Sequence, residues 1–88
     1  MTQDSSEHAQ FFHDLHRIDP ERNMARFYHL RIERDLFGLW VLHRNWGRIG
    51  TFGQTKVQSF ADRSDAEKHF DKMMRLKVRR GYLHMEEA

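Results

Sequence analysis

The sequence predicts an α+β fold: a small antiparallel β-sheet of about four strands with one C-terminal α-helix packed on it. Successive segments up to Phe60 alternate apolar and polar residues with period two, and from Ser64 the apolar period changes to 3.6. The segments are joined by short connections, which favours an antiparallel meander. A chain of 88 residues is one domain with little room for a deep cleft.

The first ten residues, MTQDSSEHAQ, and the last five, HMEEA, lack apolar patterning, so residues 11–83 are expected to fold, with flexible tails at 1–10 and 84–88. Phe12 to Ile18 suits a strand, although Phe11, Leu15 and Ile18 also keep helical spacing; the strand reading is preferred. Asp19-Pro20 then punctuates the chain, because proline restricts its own φ and biases the preceding residue away from helix. Phe27 to Glu33 alternates cleanly, with Tyr28, Leu30 and Ile32 on one face and Phe27, His29, Arg31 and Glu33 on the other. After a turn at Asp35 to Gly38, Leu39 to Trp46 reads as a strand whose first half lies deeper than its second. Gly47, Gly50 and Gly53 suggest a bulge or bend and then a loop at Thr51-Phe52. Gln54 to Phe60 supplies a further alternating strand.

The helix begins where Ser64-Asp65-Ala66-Glu67 matches a capping box. Ala66, Phe70, Met73, Met74 and Lys77 or Val78 form its apolar stripe, and Arg79-Arg80-Gly81 ends it, glycine being able to take a left-handed cap.

Composition narrows the chemistry. Without cysteine there is no disulfide framework, thiolate metal site or cysteine nucleophile. The chain shows no secretory signal and no apolar run of membrane-span length, so a soluble cytoplasmic protein without a membrane partner is expected. The formal charge is +2, but its distribution is uneven. No acidic residue falls between Asp35 and Asp62, a window that holds Arg44, Arg48 and Lys56, and Lys72, Arg75, Lys77, Arg79 and Arg80 crowd the end of the helix. Such blocks suit a polyanion, or are solvated basic faces balanced by acidic tails.

Within that basic window lies RNWGRIGTFGQ, Arg44 to Gln54. Indoles on strands usually pack, yet Trp46 is flanked by Arg44, Asn45 and Arg48, in the half of its strand that is losing apolar character. Gly47 would let the backbone bend or another molecule approach. Arg48, a permanently charged fork, suits phosphate, a carboxylate of the same protein being a common alternative. An aromatic plate beside a guanidinium can bind an unpaired nucleotide or a nucleic-acid end, the ring covering sugar or base and the arginine the adjacent phosphate.

The segment NWGRIGTFGQ, preceded by RFYHL and followed by DAEKHFDKMMRLKVRRGY, resembles the WGR domain, named for its Trp-Gly-Arg motif. The likeness covers about Leu15 to Tyr82. It rests on an ordered set: a strand ending in Trp-Gly-Arg-hydrophobic-Gly, the following Gly-Gln, an Ala-x-x-x-Phe helix and a closing basic-Gly-Tyr. The module occurs in DNA-dependent poly(ADP-ribose) polymerases and in bacterial proteins that carry it alone or beside other domains. In the polymerases it contacts DNA near a strand break, its Trp covering the terminal nucleotide and its Arg touching DNA or a neighbouring domain. The resemblance thus implies that Trp46 caps an end, that Arg48 holds phosphate or a partner, and that Tyr82 with the basic residues before it belongs to a C-terminal contact region. Family members usually place an asparagine just ahead of the Phe/Tyr strand, whereas Met24-Ala25-Arg26 separates Asn23 from Phe27, so no role is carried over to it. The 88 residues hold no catalytic domain, so no NAD site and no relay of a damage signal are implied.

Other constellations are weaker. His13 and His16 would share a helix face but point to opposite faces of a strand, and no third ligand has clear spacing, so no metal is expected. No Ser/His/Asp arrangement or apolar carboxylate pair is present, and Gly47-x-x-Gly50-x-x-Gly53 lacks the lysine and helix of a phosphate loop. The expectation is therefore a non-enzymatic module without cofactor or small-molecule substrate. It would bind DNA ends or nicks through Trp46, Gly47, Arg48, Arg44, Lys56, Arg79, Arg80 and Tyr82. The alternative is a protein-interaction module in which the same Trp and Arg form a hot spot.

Overall fold

In the computed structural model, which describes residues 11–85, the chain forms β1 (Phe12–Asp19), a 3-10 turn (Pro20–Arg22), β2 (Met24–Arg34), β3 (Trp40–Arg48), β4 (Gln54–Phe60), α1 (Arg63–Arg79) and β5 (Leu83–His84). The expected tail at 1–10 lies outside the described residues, as do residues 86–88 of the C-terminal one. The sheet order is β4-β3-β2-β1-β5 with every neighbouring pair antiparallel, so the sheet has five strands rather than about four. The additional strand pairs Leu15 with His84 and His16 with Leu83, and the Met85 amide donates to the Asp14 carbonyl at 2.9 Å. His84, assigned by patterning to the tail, is thus strand; a two-residue strand is too short for its periodicity to be read.

The helical alternative for Phe12 to Ile18 is removed by continuous pairing with β2, from Phe12↔Arg31 to Asp19↔Met24. β2 begins three residues earlier than its alternation indicated because the turn is tight. Asn23 takes the left-handed conformation at φ 51°, and its amide donates to the Pro20 carbonyl at 3.1 Å. β3 likewise runs past Trp46 to Arg48 in unbroken register with β2, so Trp46-Gly47-Arg48 is strand and not a bend.

Alternation builds the core. Leu15, Tyr28, Leu30, Ile32 and Leu42 point to the face that α1 covers and pack with Ala66, Phe70 and Tyr82. Leu15, Leu30 and Leu42 are fully buried, and each contributes about 1.5–3 kcal/mol through removal from water. The helix stripe behaves as its spacing required: Ala66 and Phe70 are buried, while Met73 and Met74 pack against the cluster.

The ends of α1 differ from expectation in one respect. Asp62, not Ser64, is the extended residue before the first turn, at φ −106° and ψ 135°, and no side-chain cap bond forms. The helix starts early enough to bring Ser64 inside its first turn, and the Glu67 carboxylate accepts instead from Arg63 Nε at 2.7 Å. The predicted capping box is therefore absent. At the other end Gly81 (φ +99°) closes the helix. Its amide donates to Val78 O at 3.0 Å and the Tyr82 amide to Lys77 O at 3.0 Å, the paired bonds of a Schellman cap.

Candidate functional site

Cross-strand register arranges the helix-side face of the sheet in rows. Arg17, Arg26 and Arg48 lie opposite one another; the next row is Leu15, Tyr28, Trp46 and Gln54; the third is His13, Leu30, Arg44 and Lys56. An aromatic row is thus flanked by basic ones. Only its inner part is roofed by α1, because the helix reaches its last turn there and adds Lys77 and Arg80.

The result is an open cleft of about 270 Å³ lined by Tyr28, Arg44, Trp46, Met73, Leu76, Lys77 and Arg80. Trp46 is partly buried, its ring packed toward buried Tyr28 with centroids 6.1 Å apart and planes 34° from parallel. It is neither sealed in the core nor a free plate. Arg44 lies over the indole, its Cζ 5.9 Å from the ring centroid, and Nη1 contacts Met73 Sδ at 3.3 Å. Lys77 Nζ sits 4.5 Å from the Tyr28 ring and 5.4 Å from the Tyr82 ring, within cation–π range. Among the described residues, none of Arg44, Arg48, Lys56, Lys77, Arg79 and Arg80 forms an ion pair. Burial, and then the charges of Arg80, Arg26 and Arg44, hold the Lys77 amine below its ordinary pKa. A bound anion would relieve that repulsion.

The sequence-predicted residues are distributed unequally around this cleft. The guanidinium over the indole belongs to Arg44, whereas Arg48 turns to Asn23, donating to its backbone O at 3.2 Å and to Oδ1 at 3.3 Å. Both acceptors are neutral, so the contact supplies no counter-charge to Arg48, and Asn23 has a role that its spacing did not reveal. Gly47 meets the protein's own backbone: a Cβ there would stand 2.7 Å from Gly53 Cα. Gly53, at φ +73°, would drive a Cβ into the Trp46 carbonyl and to 2.8 Å from Phe27 Cζ. This close approach buries Phe27 on the helix-free side and holds the backbone under Trp46. Lys56 is exposed opposite Arg44. Arg80 lines the cleft; Arg79 is exposed outside its lining. Tyr82 is core, 6% exposed, and touches the cleft through Lys77.

Sequence reasoning missed Tyr28, Leu76 and Lys77 as lining groups, and Arg17 and Arg26 as neighbours. Arg17 and Arg26 could be recovered only by pairing strands, and Lys77 from its place in the apolar stripe inside a basic run. Across the sheet, a second cleft of about 400 Å³ contains Phe12, His29, Arg31, His43, Asn45 and Phe52. There carboxylates stand beside the basic side chains: Arg31 and His43 reach Glu33 at 3.3 and 3.4 Å, and His29 reaches Asp14 at 3.7 Å.

The family model described as the WGR domain matches residues 11–88. An uncharacterized protein, y4dW, of Sinorhizobium fredii is 50% identical over 68 residues, covering 77% of this chain and 33% of that protein. The human protein mono-ADP-ribosyltransferase PARP3 is 31% identical over 68 residues, covering 77% of this chain and 13% of that protein. Protein YehF of Escherichia coli is 43% identical over 42 residues, 48% of this chain and 15% of that protein. The chain spans about a third or less of the length of each of these relatives.

Proposed function

The chain belongs to the WGR domain family, and from that premise we propose that it is a non-enzymatic module that binds nucleic acid, gripping DNA at an end or break. The observation that carries the reading is the aromatic row Tyr28–Trp46 set between unpaired cations, with no carboxylate lining the cleft. Trp46 offers a partly exposed aromatic surface at the cleft. Arg44, Lys77 and Arg80 surround it with positive charge, and Arg48 and Lys56 extend that charge along the neighbouring rows. A shallow cleft of this size takes a terminal or unstacked nucleotide, while the duplex behind it meets cations alone. The likeness to a mono-ADP-ribosyltransferase lies within 13% of that protein's length, which supports a binding module and not a transferase.

Fluorescence anisotropy of a labelled blunt duplex, at two salt concentrations, tests the proposal. Affinity should fall steeply with salt, with a slope of about −0.9 for each neutralised phosphate. Trp46→Ala should weaken binding to ends by roughly 5- to 150-fold, the equivalent of ~1–3 kcal/mol of stacking, and should affect a closed circle much less. Equal loss on both forms refutes end recognition. Salt-tolerant capture of a polypeptide with no DNA affinity would instead identify the same surface as a protein hot spot.

A further inference from the structure

The row Arg17–Arg26–Arg48 forms no ion pair among the described residues. Pairing places Arg17 directly opposite Arg26, and Arg26 directly opposite Arg48, across three adjacent strands on the side of the sheet that carries Trp46. Like charges directly opposite one another destabilise a sheet, and three in line repeat the penalty. None is neutralised among the described residues; Asp19, two residues along β1 from Arg17, is engaged by Arg22 at 3.6 Å. The outer members are steadied without losing charge. Arg48 donates to Asn23, and Arg17 runs past the helix cap, its Nε 3.3 Å from where a Cβ on Gly81 would stand. Arg26, between them, is exposed and lies close enough to Lys77 to disfavour its charged form.

We infer that Arg17, Arg26 and Arg48 form a track for consecutive phosphates of a nucleic-acid strand, running perpendicular to the β-strands beside the Trp46 cleft. Strand spacing makes the row about 10 Å long, since neighbouring strands lie about 5 Å apart. That length accommodates successive phosphates and exceeds what one phosphate can span. Guanidinium groups suit this task because each presents a planar fork to phosphate oxygens. The inference rests on the nucleic-acid reading of the cleft and adds a direction to it. A strand whose terminal nucleotide lies on Trp46 leaves along the end of the sheet, over β3, β2 and β1, rather than along α1.

Inorganic tripolyphosphate, which offers consecutive phosphates without base, sugar or strand end, is the probe. By calorimetry at matched ionic strength, the wild-type chain should bind it at least tenfold more tightly than orthophosphate. Arg17→Gln with Arg26→Gln should abolish that preference, while Trp46→Ala retains it. With duplex DNA the same pair should flatten the dependence of log K on log salt by about 0.9 for each arginine removed. Relief of like-charge repulsion should leave the unfolding midpoint of the double variant at or above that of wild type; each single variant repeats the measurement if it does not. An unchanged salt slope, or wild-type binding no tighter for tripolyphosphate than for orthophosphate, overturns the track without touching the Trp46→Ala result. An intact track in a chain whose end preference survives Trp46→Ala overturns the end-binding reading instead.

Discussion

Two tryptophans six residues apart on β3 face the helix, and both are partly buried against the core. At Trp40 one of the two neighbouring cations, Arg63, is neutralised within the fold. Arg63 lies 5.3 Å from its ring and 4.7 Å from that of Phe11, Arg34 lies 5.2 Å away on the adjacent strand, and Glu67 neutralises Arg63 at 2.7 Å. At Trp46, Arg44 approaches to 5.9 Å, and neither it nor Lys77 or Arg80 has a carboxylate partner among the described residues. One strand thus presents the same pairing of indole and guanidinium twice, with a carboxylate engaging one of the cations at Trp40 and none engaging those at Trp46 among the described residues. The helix repeats the polarity: Asp65 and Glu67 lie toward its start, Lys77 and Arg79 in its last turn and Arg80 at its cap. An aromatic–arginine pair becomes a candidate site through the missing counter-charge, more than through the pair itself.

Substitutions at the two rings should separate these roles, and the largest effect is expected there. Trp40→Ala should lower stability by about 2–4 kcal/mol in chemical denaturation, with little change in DNA affinity for the molecules that remain folded. Trp46→Ala should lose affinity by up to roughly 150-fold, and a loss confined to stability would erase the distinction. Next in size, Gly53→Ala should cost about 1–3 kcal/mol, because it strains a left-handed residue and displaces the strand beneath Trp46. Its effect on binding should therefore exceed that of Gly50→Ala, where a Cβ meets nothing within 4 Å.

Lys77→Met sharpens the comparison with opposite signs. The folded state lowers the lysine's pKa, so carrying the charge costs the folded chain stability, a cost fully present below the lowered value and relieved as pH rises toward the ordinary lysine value. Removing the charge should raise the unfolding midpoint while weakening DNA binding and reducing the salt slope by about 0.9. Stability falling together with affinity would show the amine to be structural. The smallest effect is expected at the β1–β5 junction. Burial against Phe70, and then the adjacent His84, lower the pKa of His13, while Asp14 and Asp71 act in the opposite sense. A depressed folded pKa means that His13 contributes fully above about pH 6.5 and that its contribution is lost as pH falls through the lowered value. His13→Asn should flatten the acid limb of the midpoint-versus-pH curve.

The fold was largely legible because period-two and period-3.6 patterns report burial directly. Tyr28, Leu30 and Ile32 announced the covered face of β2, and Ala66 and Phe70 the contact stripe of α1. β5 was not legible, since two residues have no period. The false capping box shows a second limit: Ser64 and Glu67 have the right spacing, but Arg63 competes for the carboxylate. At the site, local spacing located Trp46 and the basic window. It paired the indole with Arg48, two residues on, where the structure turns Arg48 to Asn23 and places Arg44 over the ring. Arg17 and Arg26 belong to other strands, and only hydrogen-bonded register brings them beside Arg48. Tyr82, expected at the surface from its position in a closing motif, is interior because the cap at Gly81 turns the chain back onto the sheet.

That cap also sets an order of assembly. Lys77 and Arg80 arrive on the final turn of α1, and Tyr82 can dock only after Gly81 has reversed the chain. During synthesis on the ribosome, the residues of the β2–β3–β4 meander emerge before these groups. On the proposed DNA-binding reading, nascent chains arrested before Gly81 should therefore fail to retain a labelled duplex that chains released past Tyr82 capture.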